Sequence, residues 1–149
     1  MPSMPWTSTA PLDRDRTYLV MATRSKLTSR RHLPAIFGLA QPLWAGLSAT
    51  DGLIGYTMHA LVRKATIATL TVWQDPATLS AFVRGQQHAA VAAATRHWMR
   101  ESVFVSWTAT AADLPPDWAT ADRHLDAAPP RKPHPLDLPV AAQAEVNDA

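Results

Sequence analysis

Six histidines and no cysteine set the limits of what this chain can do chemically. Without a thiol there is no thiolate nucleophile, no Fe–S ligand set, no disulfide and no cysteine-type zinc site. His32, His59, His88, His97 and His124 form neither a His-x-x-x-His pair on one helix nor a Glu-x-x-His carboxylate set, so no metal site built from protein ligands is expected. There is no P-loop, no G-x-G-x-x-G and no G-x-S-x-G. The acids Asp51, Asp75, Glu101, Asp113 and Asp117 fall at predicted caps and turns, and a helix cap accounts fully for Asp75 and Asp117. What remains is an imidazole that folding can carry to an indole: His88 and Trp73.

The stretch Ala65 to Met99, ATIATLTVWQDPATLSAFVRGQQHAAVAAATRHWM, positions both. Ile67, Thr69, Thr71 and Trp73 alternate with Ala68, Leu70 and Val72, which predicts a half-buried strand. Asp75-Pro76 ends it and starts a helix: the carboxylate caps free N–H groups, and proline suits a first helical position. Leu79, Phe82, Val83 and Gln86 share one helix face. Continued unbroken, at about 100° per residue, that helix would turn His88 away from the face of Leu79. Gly85 is a weak interior helix residue, so a restart is expected there. His88 then heads a new apolar stripe with Val91, Ala92, Thr95 and Met99, beside Trp98 and within reach of Trp73. In that position it can serve as a pocket ligand or proton donor; the plain alternative is a satisfied histidine near a helix start, or a solvated one.

The remaining elements follow from the same periodicities. Met1 to Arg16 lacks any, and is expected to be an irregular arm pinned by Trp6. Thr17 to Leu27 is a strand apolar on both faces, hence central. Leu33, Ile36, Phe37, Ala40, Leu43, Trp44 and Leu47 recur at helical spacing, with Ser29 or Pro34 marking the start and Pro42 expected to kink or divide the helix. Leu53 to Lys64 is a strand in which Gly55 signals a bulge or a close backbone approach. His59 is expected on its exposed face, and Arg63-Lys64 turn the chain into the next strand. Glu101 to Thr110 is a last strand with Val103, Val105 and Trp107 on one face. Asp117 to Ala127 is a short helix, too weak to stand without docking. Residues 129–149 return to Pro, Ala and scattered charge and are expected to be a disordered tail.

A chain of 149 residues is one domain, here 17–128, large enough to bury a single core. Six tryptophans against five Phe and Tyr together hint at a large apolar pocket or an oligomer interface. Net charge is only +2, and the basic run Arg24, Lys26, Arg30, Arg31, His32 has no interleaved aromatic platform, so no nucleic-acid partner is expected. No apolar run reaches the length of a membrane span and none resembles a signal peptide, so a cytoplasmic protein without a membrane partner is the expectation.

The element order predicts an α+β fold of the ferredoxin-like βαββαβ type, with helices on one face of an antiparallel sheet. The opposite face, with Val20, Leu70 and Val72, needs a cover, and a second copy of the same sheet would supply one, giving a homodimer. On YLVMATR, GLIGY, TLTVWQDPATLSAFVRGQQH, FVSW and LPPDWATADRHL, the core from about Trp6 to Leu125 resembles the dimeric α/β-barrel superfamily that includes antibiotic-biosynthesis monooxygenases. It resembles DUF3291-like bacterial proteins more closely still.

That resemblance implies a dimeric α/β barrel with a pocket between sheet and helices, where an aromatic or polyketide-like small molecule meets oxygen. Some relatives work without a cofactor; others bind haem through a histidine on the second helix, and His88 occupies a similar position. On this reading His88 and Trp73 are the catalytic candidates, His88 is the candidate haem axial ligand, and Met58, Phe82, Trp98, Trp107 and Arg24 line the pocket. Haem-degrading relatives carry an asparagine on the first strand; here the nearest polar residues are Thr23 and Arg24. A monooxygenase-like enzyme and a non-catalytic module binding a small ligand or haem both remain open.

Overall fold

The computed structural model describes residues 4–130; the predicted tail lies outside the described residues from 131 onward. The elements run β1 (Thr7–Ser8), β2 (Thr17–Leu27), α1 (Leu33–Ala45), β3 (Leu53–Leu61), β4 (Thr66–Trp73), α2 (Pro76–Arg84), α3 (Gln86–Thr95), β5 (Met99–Thr110) and α4 (Trp118–Ala127). One antiparallel sheet has the order β1-β3-β4-β2-β5. Its four long strands are ferredoxin-like, with β2 at the centre between β4 and β5.

Local sequence explains where the elements begin and end. Ser29 caps a short 3-10 turn, accepting from the Arg31 N–H, and regular helix begins at Leu33 with Pro34 in its first turn. Pro42 neither divides α1 nor stops it at once: it sits in the last turn, and the helix closes at Ala45. Asp75 caps α2, its carboxylate accepting from the Thr78 N–H at 2.8 Å. The break at Gly85 forms as expected, with extended ψ there separating α2 from α3. Gly52 adopts φ +80, and a Cβ there would run into Thr78, so this turn needs glycine twice over.

Gly55 combines both sequence expectations. The β3–β4 register shifts beside it, and the Trp6 indole lies on it so closely that a Cβ would collide. The arm is therefore more regular than its sequence suggests. Thr7 and Ser8 pair with Tyr56 and Gly55 as an added edge strand, and the Thr57 hydroxyl donates to the Met4 carbonyl at 2.6 Å. Backbone bonds at the sheet edge order a segment that has no hydrophobic period of its own.

The two faces of the sheet are covered differently. α1, α2 and α3 lie over Leu19, Met21, Ile67 and Trp73. On the other face Val20 and Leu70 are 0% exposed and Val72 1% within the single chain. Their cover is α4, which inserts Ala121 and Leu125, helped by Trp6, Trp107 and Trp118. The expectation that a second copy must seal these residues is thus corrected: the chain's own last helix and first arm do so. The sequence marked that helix as needing to dock, and this is where it docks.

Candidate ligand chamber between the sheet and the helices

Between the helix-side face of the sheet and helices α1, α2 and α3 lies a cavity of about 250 Å³. A smaller one of about 120 Å³ adjoins it, sharing Leu43, Trp44, Thr69, Thr71, Phe82 and His88 in its wall. Period-two alternation builds the floor: Met21, Thr23 and Ser25 of β2 lie beside Thr71, Thr69 and Ile67 of β4. The roof is apolar, made by Ile36, Ala40 and Leu43 of α1 and by Val91 and Ala92 of α3.

Trp73 closes one end. It is 1% exposed, and its indole N–H donates to the Thr71 hydroxyl at 2.8 Å. With its donor committed, the indole offers a ligand its ring surface. Phe82 lies between Trp73 and His88, with ring centroids 5.2 Å from the indole and 5.3 Å from the imidazole, edge-on to the latter. The three rings form a continuous aromatic wall.

His88 heads α3 and lines both cavities. Burial pushes its pKa below the ordinary imidazole value, and a hydrogen bond to the backbone of Val83 offsets part of that. At neutral pH the ring is uncharged, so it holds one N–H and one lone pair. No carboxylate lines either cavity, which leaves His88 as the proton acceptor in the wall.

The floor carries a row of hydroxyls. Thr23 and Thr69 hydrogen-bond to each other across the β2–β4 pair, and Ser25 and Ser102 do so at 2.9 Å across β2–β5. Among the described residues no buried side-chain polar atom lacks a partner. Each hydroxyl pair satisfies itself, yet each oxygen keeps accepting capacity for a ligand's O–H groups.

The structure sorts the residues that the sequence nominated. His88, Trp73 and Phe82 line the main cavity, and Met58 the smaller one. Three others are placed elsewhere. Trp98 stacks on His32 at 5.2 Å, outside the cavity wall, because it belongs to the turn after α3. Trp107 points to the opposite sheet face and stacks on His124 at 3.8 Å. Arg24 also takes that face and pairs with Asp126 of α4 at 2.8 Å. Both corrections follow from strand parity: Arg24 shares the face of Val20 and Ala22, while Thr23 shares the face of the cavity. His59, also on the outer face, stacks on Trp118 at 3.9 Å.

The site residues that sequence reading missed are Thr69, Thr71, Ser25, Ser102, Trp44 and Arg96. For Thr69 and Thr71 the signal was present, since the alternation of β4 puts both on the face of Trp73. Ser102 and Arg96 gave none, because their position depends on how β5 returns beside β2.

Haem fits this chamber poorly. The two cavities beside His88, about 250 and 120 Å³, are small for a group as large as a porphyrin. Among the described residues no group of three His, Asp or Glu side chains could hold a metal ion, and no helix is long and apolar enough to cross a membrane.

The chain belongs to the family described as "Domain of unknown function (DUF3291)", whose model matches residues 43–131. Among proteins of curated function, none matches it. Solved structures share the fold at low identity. An antibiotic biosynthesis monooxygenase has TM-score 0.56 at 12% identity, over 62% of this chain and 98% of that one. A conserved protein from Methanosarcina mazei Go1 has TM-score 0.55 at 13% identity, over 60% and 90%. A conserved protein of unknown function from Bacteroides thetaiotaomicron VPI-5482 has TM-score 0.53 at 15% identity, over 62% and 98%. The architecture expected from the sequence, an α+β ferredoxin-like antiparallel sheet, is the one found, and these solved structures share that fold.

Proposed function

We propose that the protein is a monooxygenase-like enzyme that oxidises a phenolic, polyketide-like aromatic molecule in the chamber between sheet and helices. The observation that carries this reading is the uncharged His88 in an apolar aromatic wall, opposite a floor of hydroxyls. The Trp73 and Phe82 rings would pack the substrate's ring system, and Thr69, Thr71 and Thr23 would hold its oxygens. His88 would accept the phenolic proton, and an electron-rich phenolate then reacts with oxygen in surroundings that exclude water. The balance closes without an added reductant: a phenol and O₂ give a quinone and water, one oxygen atom entering the ring in place of hydrogen. A fold shared with an antibiotic biosynthesis monooxygenase supports this reaction class. Haem has no part in the reading.

A homodimer remains part of the proposal, on a ground other than a bare sheet. β5 is a twelve-residue edge strand, and its outer edge meets no other strand among the described residues. Such an edge is ready to pair with another copy. Sedimentation should then give twice the 16.3 kDa chain mass, and a single-chain mass rejects the dimer.

Oxygen consumption in the presence of hydroxynaphthalenes and quinols tests the enzyme. Turnover is expected, falling by about 100-fold or more in His88→Gln, the scale of a lost general base. A phenol that binds without consuming oxygen would reject catalysis and leave a small-ligand-binding module.

A further inference from the structure

The main cavity is long and unevenly charged. Its floor runs from Trp73, opposite Leu19, to Ser102, opposite Ser25. Six residues of strand separate those positions along β2, about 20 Å at the usual rise. The Trp73 end is aromatic. The other end is bounded by Ser25, Ser102, Met99 and Arg96. Arg96 is the only Lys, Arg, Asp or Glu in the wall of either cavity, and it makes no ion pair among the described residues.

Backbone bonds hold the chain beside Arg96 in place. The Leu27 N–H bonds the Ala65 carbonyl and the Thr28 N–H bonds the Trp98 carbonyl, each at 2.8 Å, which ties three segments together at this end. Those segments carry Lys26, Arg30, Arg31, Arg63, Lys64 and Arg100 in sequence, with Glu101 their single acid. Arg96 is thus the one fixed charge in the wall of an otherwise uncharged chamber.

We infer that the chamber's ligand is an organic anion: an apolar, ring-bearing body lying along the hydroxyl floor, with a carboxylate or similar acid group held by Arg96 beside Ser25 and Ser102. This deepens the proposed function by naming the acid as part of the substrate class. A guanidinium at the rim and no fixed negative charge inside select an anion over its neutral analogue. The site needs no conformational change to do so, because Arg96 already lines the cavity.

A matched pair of fluorescent probes tests this on the full-length protein: 1-anilinonaphthalene-8-sulfonate and its uncharged counterpart N-phenyl-1-naphthylamine, read by energy transfer from tryptophan. The two should compete for one site, with the sulfonate bound at least about tenfold more tightly, the scale of one charge-assisted contact. Arg96→Gln should bring the sulfonate down to the level of the neutral probe and leave the neutral probe unchanged. Arg31→Gln, which removes a cation outside the cavity wall, should change sulfonate affinity less than about twofold. Equal affinities in the wild type, absence of competition, or a preference that survives Arg96→Gln overturns the inference. Because the readout is binding, it stands apart from turnover: phenol oxidation without an Arg96-dependent preference rejects the anion alone, and the preference without oxidation rejects the enzyme alone.

Discussion

The indole N–H of Trp73 donates to the hydroxyl of Thr71 two residues earlier on the same strand, at 2.8 Å. Trp73 is the largest fully buried side chain among the described residues, and that bond removes its donor from play. In Thr71→Val the N–H loses its partner in a buried setting, which costs about 1–3 kcal/mol. Trp73→Phe removes the donor itself, so adding Thr71→Val to it should cost markedly less than it does in the wild type. Denaturant unfolding of the four proteins checks this; additive losses would show that the bond has no energetic weight.

Stability should depend on pH through two histidines. Burial holds both His88 and His59 below the ordinary imidazole pKa of about 6.5. The folded state therefore binds fewer protons than the unfolded chain between the lowered values and about 6.5. Stability is fully present above that window and is lost as pH falls through it. For His59 the nearby Asp122 opposes the shift. Thermal melts of His88→Gln from pH 7.5 to 5 should show a shallower decline than the wild type, with His59→Gln removing a further part. An unchanged slope in both variants contradicts the assignment.

The docking of α4 should rest on its apolar face rather than its charges. Leu125 is 0% exposed over Val20 and Leu70, so Leu125→Ala should cost about 2–5 kcal/mol. Arg24 meets Asp126 in a setting open to solvent, where an ion pair contributes at most about 1 kcal/mol. Arg24→Gln should therefore change the unfolding midpoint little. If the two variants lost comparable stability, the electrostatic contact would be holding the helix.

Much of this architecture could be read from residue types. Alternation in β4, the Asp75-Pro76 start of α2 and the weakness at Gly85 fixed the local path that brings His88 under the sheet, and each formed as its chemistry required. Gly55 signalled a close approach, and Trp6 makes it. What stayed hidden were relations between distant segments. Trp107 looked like pocket lining because aromatic residues suit pockets, but its parity on β5 sends it to the face of α4. Val20 and Leu70 looked uncovered because the helix that buries them is short, polar in composition and far away in sequence. Arg96 gave no signal, since its place at the cavity mouth depends on three chain segments meeting there.

The central claim is that the ligand site lies under the helices, against Trp73. The indole N–H resonances of the six tryptophans, followed by ¹⁵N-resolved NMR while 1-naphthol is added, test it directly. Signals of Trp73 and Trp44 should move together and saturate, while Trp107 and Trp118 on the opposite face hold still. Movement of Trp107 or Trp118 with Trp73 unmoved, or no movement at all, would contradict it.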